Sequence, residues 1–233
     1  MNEQYTFLIL STVDTEHSIY SRQERLNQTL ETINSIRQYA PGSKIAFIDN
    51  SINPLSDQEK QLISLQVDLW IDYQNNLFTR WVSTDGHRRD GAMKGINELL
   101  LMEQALPVLK AHGFVNRRVF KISGRYRLTS QFNLVEYNIP DVDNKYVFKI
   151  TQWNYHSPAG VEINHWFDTT LWSFSGSLYD HYVGMLPVLF QYMITNKLNL
   201  ELSHTHTIPH EMVMYKNALF LEGNMARGDY IFA

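Results

Sequence analysis

Cysteine is absent from all 233 residues, which excludes disulfide bridges and thiolate metal sites. That absence fits a reducing compartment, and the expected location is cytoplasmic. Positive charge is also scarce: 20 Lys and Arg stand against 24 Asp and Glu, a formal net charge of -4. A chain with that balance and no basic face is not expected to bind nucleic acid. No apolar run approaches the ~20 residues needed to span a bilayer, so no transmembrane segment is expected. The polar start, Met1 to Tyr5, lacks the pattern of a secretory signal. No Gly-x-Gly-x-x-Gly follows the first apolar run, and no P-loop pattern occurs, so a dinucleotide fold and a P-loop fold are both disfavoured. Internal repeats, low-complexity tracts and linkers are missing too.

What is present is enough apolar residue, 44%, to bury one large core, and one domain is expected over 1–233. Tyr5 to Leu10 reads as a central strand ending in the polar Ser11-Thr12-Val13-Asp14. Leu26, Leu30, Ile33 and Ile36 recur at helical spacing between Arg22 and Tyr39, and Pro41-Gly42 ends that helix. Lys44 to Asp49 is a second strand. Strand, helix and strand in this order predict a right-handed βαβ unit and a parallel sheet. Ser56 with Glu59 three residues on makes a capping box for the next helix, and Val67 to Tyr73 reads as a strand. Gly91 to Ala111 is the strongest helical pattern, with Pro107 near its end. Asn154 to Asn164 is expected to be a loop, Thr169 to Phe174 a strand, and Glu211 to Leu219 a short helix. The fold class is α/β, a mixed central sheet flanked by helices. Residues 1–128 form its nucleotide-binding half and 129–233 the rest.

The stretch Val119 to Leu128 is chemically the most pointed. A buried strand ends in Ser123-Gly124-Arg125, and Lys121, Arg125 and Arg127 put three cations within seven residues. A local cationic rim on an acidic chain suits a small anionic ligand. Gly124 allows a main chain or ligand to come close. In an open parallel sheet, ligands bind beyond the carboxyl ends of the strands. Those ends carry Ser11, Thr12, Asp49 and Ser123.

Several short motifs carry a family resemblance. They are Ile48-Asp49-Asn50-Ser51, Lys94-Gly95-Ile96-Asn97-Glu98, Phe120-Lys121-Ile122-Ser123-Gly124-Arg125-Tyr126, His210-Glu211 and Gly223-Asn224-Met225-Ala226-Arg227-Gly228. With the order of elements, they resemble GT-A-type glycosyltransferases, and more narrowly small bacterial and phage glycan-synthesis proteins. The resemblance implies a nucleoside-diphosphate sugar donor and a glycan acceptor, as in polysaccharide biosynthesis. It places the nucleotide on Ser11, Thr12 and Asp49, and the diphosphate beside Lys94, Ser123, Gly124, Arg125 and Arg127. It sets Glu211 near the acceptor as a candidate base; Asp85, in the polar, aperiodic stretch Gln74 to Asp90 that reads as a loop, is a second candidate. Trp153, Tyr155 and His210 are the candidate acceptor contacts. The family's metal-binding Asp-x-Asp is here Ser123-Gly124-Arg125. A divalent metal, Mn²⁺ or Mg²⁺, is therefore not expected to be required, since fixed cations can stabilise a leaving diphosphate. Asp141-Val142-Asp143 spells the missing pattern but precedes a strand, and reads as a solvated loop.

Two other classes stay open at this level. His204, His206, His210 and Glu211 are the residue types of a metal site, as in a metal-dependent hydrolase. The aromatic cluster around Trp153 equally suits a glycan-binding module without catalysis.

Overall fold

The computed structural model describes residues 5–16, 18–74, 77–81, 92–156, 160, 162–224 and 230–232. A seven-stranded sheet runs through the centre in the order β3-β2-β1-β4-β7-β6-β8. Its strands are β1 (Tyr5–Ser11), β2 (Lys44–Asp49), β3 (Leu69–Ile71), β4 (Arg118–Ser123), β6 (Tyr146–His156), β7 (Glu162–Ser175) and β8 (Val213–Lys216). β1 to β4 pair in parallel, as the strand–helix–strand pattern requires, and β7 turns antiparallel against β4 and β6. A second sheet joins β5 (Tyr126–Leu128), β9 (Leu221–Asn224) and β10 (Tyr230–Phe232). Together these make one α/β domain.

Each face of the central sheet has its own helices. One face packs on α1 (Arg22–Tyr39) and α2 (Asp57–Ser64) through Leu26, Ile33, Ile36 and Ile63. The other packs on α4 (Ala92–Ala111), α5 (Tyr179–Asn196) and α6 (Leu200–Thr207) through Ile96, Leu106, Tyr182, Leu189 and Leu200. A short α3, Leu77–Trp81, follows β3. Both α1 and α2 begin in reciprocal capping boxes, Ser21 with Glu24 and Ser56 with Glu59. Each box satisfies two backbone N–H groups that the first turn leaves without partners.

Two local expectations change, and one segment read without a structure turns out helical. Much of 154–164, expected as a loop, extends β6 and β7 into a long hairpin that runs past the end of β4. Residues 204–207 are helical, because Asn199 caps α6 by accepting from the Leu202 N–H at 3.0 Å. The expected helix 211–219 is strand β8, drawn into parallel pairing with β6. Among the described residues, no helix is long and apolar enough to cross a membrane.

Candidate active site

Three parallel strands end side by side. Ser11 of β1 is in register with Asp49 of β2, and Leu10 with Ser123 of β4. The loops beyond them are tied to one another. Asp49 accepts the Val13 N–H at 2.9 Å on one carboxylate oxygen and the Ser51 N–H at 3.0 Å on the other. Burial pushes its carboxyl above the usual range, and these hydrogen bonds oppose the push. Thr12 donates its hydroxyl to the Asn50 side chain, and Ser51 accepts the Asp14 N–H at 2.8 Å. Ser11 is buried and shares a 3.0 Å hydrogen bond with Thr29 of α1. Gly124 closes this corner: a Cβ there would lie 3.1 Å from Ser11 Cβ and 3.2 Å from Thr29 Oγ1. A larger residue would therefore press on these two side chains, which would have to give by a few tenths of an ångström.

On this floor stand two guanidinium groups. Arg25 of α1 donates from Nε and Nη2 to the Thr12 carbonyl at 3.0 and 2.6 Å. Burial, and then the neighbouring Arg125, hold it down to about 10. Arg125 lies with Cζ 5.6 Å from the Tyr126 ring centroid. Its Nη1 is buried and has no acceptor among the described residues. The buried Asn50 Nδ2 has none either. A buried donor without a partner costs about 1–3 kcal/mol, more when charged, and like charges side by side add to it. An anion seated here would relieve both costs.

The other cations of the stretch do different work. Arg127 is paired, donating from Nε to Glu222 at 2.6 Å with Glu31 at 3.4 Å from Nη1. Lys121 is not on a rim at all. It is fully buried, donating to the Thr169 carbonyl at 2.6 Å and to Ser123 Oγ at 3.1 Å, and ion-paired with Glu98 of α4 at 2.7 Å. Beside it, Thr169 donates its hydroxyl to Glu201 Oε1 at 3.1 Å. Burial, and then Glu98, hold Glu201 above the usual carboxylate range. Tyr126 is influenced by both sets of charges: burial raises its pKa, Arg125 and Arg25 pull it down, and Asp168 and Glu201 push it up. Sequence reading missed Arg25, Lys121's pairing, Asp168 and Glu201. Alternation along β4 was the available signal for Lys121, since Val119, Lys121 and Ser123 share a face.

Other expected residues stand elsewhere. Val213 pairs with Tyr146, Tyr146 with Phe174 and Phe174 with Val119, so Glu211 lies at the amino edge of the sheet. It is exposed, its carbonyl accepts from Lys145 Nζ, and it does not join the loops after Ser11, Asp49 and Ser123. His210 packs its ring 5.4 Å from His165 of β7 and bonds Tyr215 at 2.5 Å. Lys94 is in the first turn of α4, and Trp153 and Tyr155 are on β6. Asp85 lies outside the described residues.

The metal reading of the histidines does not survive the helix. His204 is fully buried against Trp172 and Phe148 and bonds Tyr182 at 3.1 Å, whereas His206 is exposed. Among the described residues, no three His, Asp or Glu side chains are grouped to hold a metal ion. The position after β4 where the resemblance implies a metal pair presents Arg125, a cation, so those residues do not fit a divalent metal.

No protein-family model matches the sequence, and a search of curated proteins found no relative. Solved structures do resemble it. The core-mannan synthase A (CmsA/Ktr4) of Aspergillus fumigatus, in its Mn/GDP form, superposes with a TM-score of 0.54 at 8% identity, over 95% of this chain and 74% of that one. WbbM, a bifunctional glycosyltransferase, gives 0.57 at 15% identity over 93% of this chain and 39% of its own. The 4-diphosphocytidyl-2C-methyl-D-erythritol synthase of Anaerococcus prevotii gives 0.50 at 8% identity over 99% and 91%. At these identities the likeness is one of fold alone: the chain has the GT-A-like α/β fold that these two glycosyl-transfer proteins and the synthase share.

Proposed function

We propose that the protein is a glycosyltransferase that moves a sugar, of the hexosyl class, from a nucleoside-diphosphate donor to a glycan acceptor. The observation that carries this reading is the buried, unpartnered Nη1 of Arg125 beside Arg25, at the end of β4. As the sugar departs, negative charge grows on the diphosphate. Fixed guanidinium donors in a water-poor corner stabilise that charge without rearrangement. Support also comes from the fold, shared with a mannan synthase in an Mn/GDP form and with a bifunctional glycosyltransferase. The β6–β7 hairpin, bearing Trp153 and Tyr155 with His210 beside it, is the acceptor side in this reading. The transfer runs without a divalent metal, because Arg125 occupies the place of the metal-binding pair.

Calorimetry with UDP, GDP, CDP and dTDP in EDTA tests this. At least one is expected to bind, and Arg125→Ala is expected to weaken it roughly tenfold to a hundredfold, the worth of a charged hydrogen bond. Binding abolished by chelation and indifferent to Arg125→Ala would overturn the metal-free reading. Sugar affinity without nucleotide affinity would identify a glycan-binding module instead.

A further inference from the structure

The proposed transfer needs a group to take the acceptor's proton; Glu211 stands at the amino edge of the sheet, and Asp85 lies outside the described residues. The described residue best placed for it was not legible as such in the sequence. We infer that Glu201 is the proton-accepting carboxylate of the site, and that the buried Lys121–Glu98 ion pair is the device that positions and tunes it. The inference rests on the glycosyl-transfer reading above.

Glu201 is on the first turn of α6, partly exposed, with Oε1 fixed by the Thr169 hydroxyl at 3.1 Å. The Thr169 carbonyl in turn accepts from Lys121 at 2.6 Å, and Lys121 also holds Ser123 at the end of β4. One buried ammonium therefore braces β4, β7, α4 and, through Thr169, the carboxylate of α6. A lysine fully withdrawn from water contributes little stability even when paired, which leaves its geometry as its use. The charged groups acting on Glu201 are Glu98 of α4 and Lys121 of β4, and Glu201 in turn acts on Tyr126 of β5. His204, one turn on in α6, is buried on Tyr182 of α5. Glu98 pushes the Glu201 carboxyl up, and Lys121 pulls it down. Asp168 is the less available carboxylate, because its Oδ1 already accepts the N–H and hydroxyl of Thr170.

In the step, the acceptor oxygen bonds to the anomeric carbon as its proton passes to Glu201. The bond from that carbon to the diphosphate oxygen breaks, and the diphosphate leaves with the electron pair. No oxidant or further reactant is required.

The test is the pH profile of sugar transfer, followed as nucleoside diphosphate released in the presence of acceptor. Glu201→Gln keeps the oxygen that Thr169 bonds, so it is expected to fold and to bind nucleoside diphosphate as the wild type does. Its turnover is expected to fall roughly 10²–10⁴-fold. Glu98→Gln removes the repelling charge and is expected to move the acid limb to lower pH. Lys121→Met is expected to move it to higher pH. Should Lys121→Met not fold, the shift of Glu98→Gln decides by itself, since a merely structural residue would leave the limb in place. Wild-type turnover in Glu201→Gln, or loss of turnover in Asp168→Asn instead, would overturn the assignment while leaving the function standing. A wild type that binds no nucleoside diphosphate and transfers no sugar would overturn the function, and this inference with it.

Discussion

Asp49 ends β2 and Arg125 follows β4 at the same edge of the sheet, and their hydrogen bonding gives them opposite tasks. Asp49 accepts one backbone N–H on each carboxylate oxygen, so its geometry is committed to holding the loops after β1 and β2 together. Arg125 keeps a buried donor without an acceptor. An isosteric Asp49→Asn turns one of those acceptors into a donor and leaves a backbone N–H facing an amide. The expected cost is about 1–3 kcal/mol. For a domain of this size that lowers the melting temperature by roughly 2–4 °C per kcal/mol. Thermal unfolding checks it. A variant that melts like the wild type but no longer binds nucleotide would make Asp49 a ligand group rather than a loop tie.

Among the elements, α6 is where local reading and tertiary structure part most clearly. The βαβ start and the Ser56–Glu59 capping box were legible because their signals are local: helical spacing in 26–36, and Ser with Glu three residues on. The same local signal at Ser21 and Glu24 was passed over. Eight residues with histidines two apart carry no such signal, and Asn199, the cap that starts the helix, lies five residues before His204. Likewise β8 is a strand only because β6 pairs with it from 67 residues away in the chain, Tyr146 against Val213. The site follows the same rule. Ser123-Gly124-Arg125 was readable as a cationic strand end, but Lys121's partner Glu98 and the brace to Glu201 depend on packing between distant elements. The helix also gives His204 a measurable signature. Burial, and then Lys121, hold the ring down to about 3, against an ordinary value of 6.5. Above pH 6.5 the ring is neutral whether the chain is folded or not. Between 6.5 and 3 the unfolded chain takes up a proton that the folded one refuses, so stability falls as pH falls, by up to about 1.4 kcal/mol per pH unit. His204→Gln, which keeps a hydrogen-bonding side chain without titrating in that window, is expected to lose less melting temperature than the wild type between pH 7 and pH 4. Equal losses would show that the ring is not buried neutral.

For the molecule as a whole, the parallel strands of the first half and the antiparallel hairpin of the second are one sheet, joined where β4 meets β7. Register runs from Arg118 opposite Ser175 to Ile122 opposite Leu171. Where β7 ends, the chain crosses the start of β4 at van der Waals limit. The Gly176 N–H donates to the Arg117 carbonyl at 2.9 Å, and a Cβ on Gly176 would lie 1.7 Å from the Asn116 carbonyl oxygen. No flexible side chain can yield there, because the obstacle is backbone, so Gly176→Ala must shift the strand or the turn. Overpacking of this kind costs about 1–3 kcal/mol, and occasionally more. The seam carries Lys121 and Thr169 on its two strands, so strain there also reaches the brace beneath Glu201. If 1–233 is one cooperative unit, Gly176→Ala will lower a single melting transition, seen at one temperature by tryptophan fluorescence and by far-ultraviolet dichroism. Should the two signals separate, with the parallel strands of 1–128 surviving the loss of the hairpin, the halves would be independent folding units, and the candidate site would lie across their boundary.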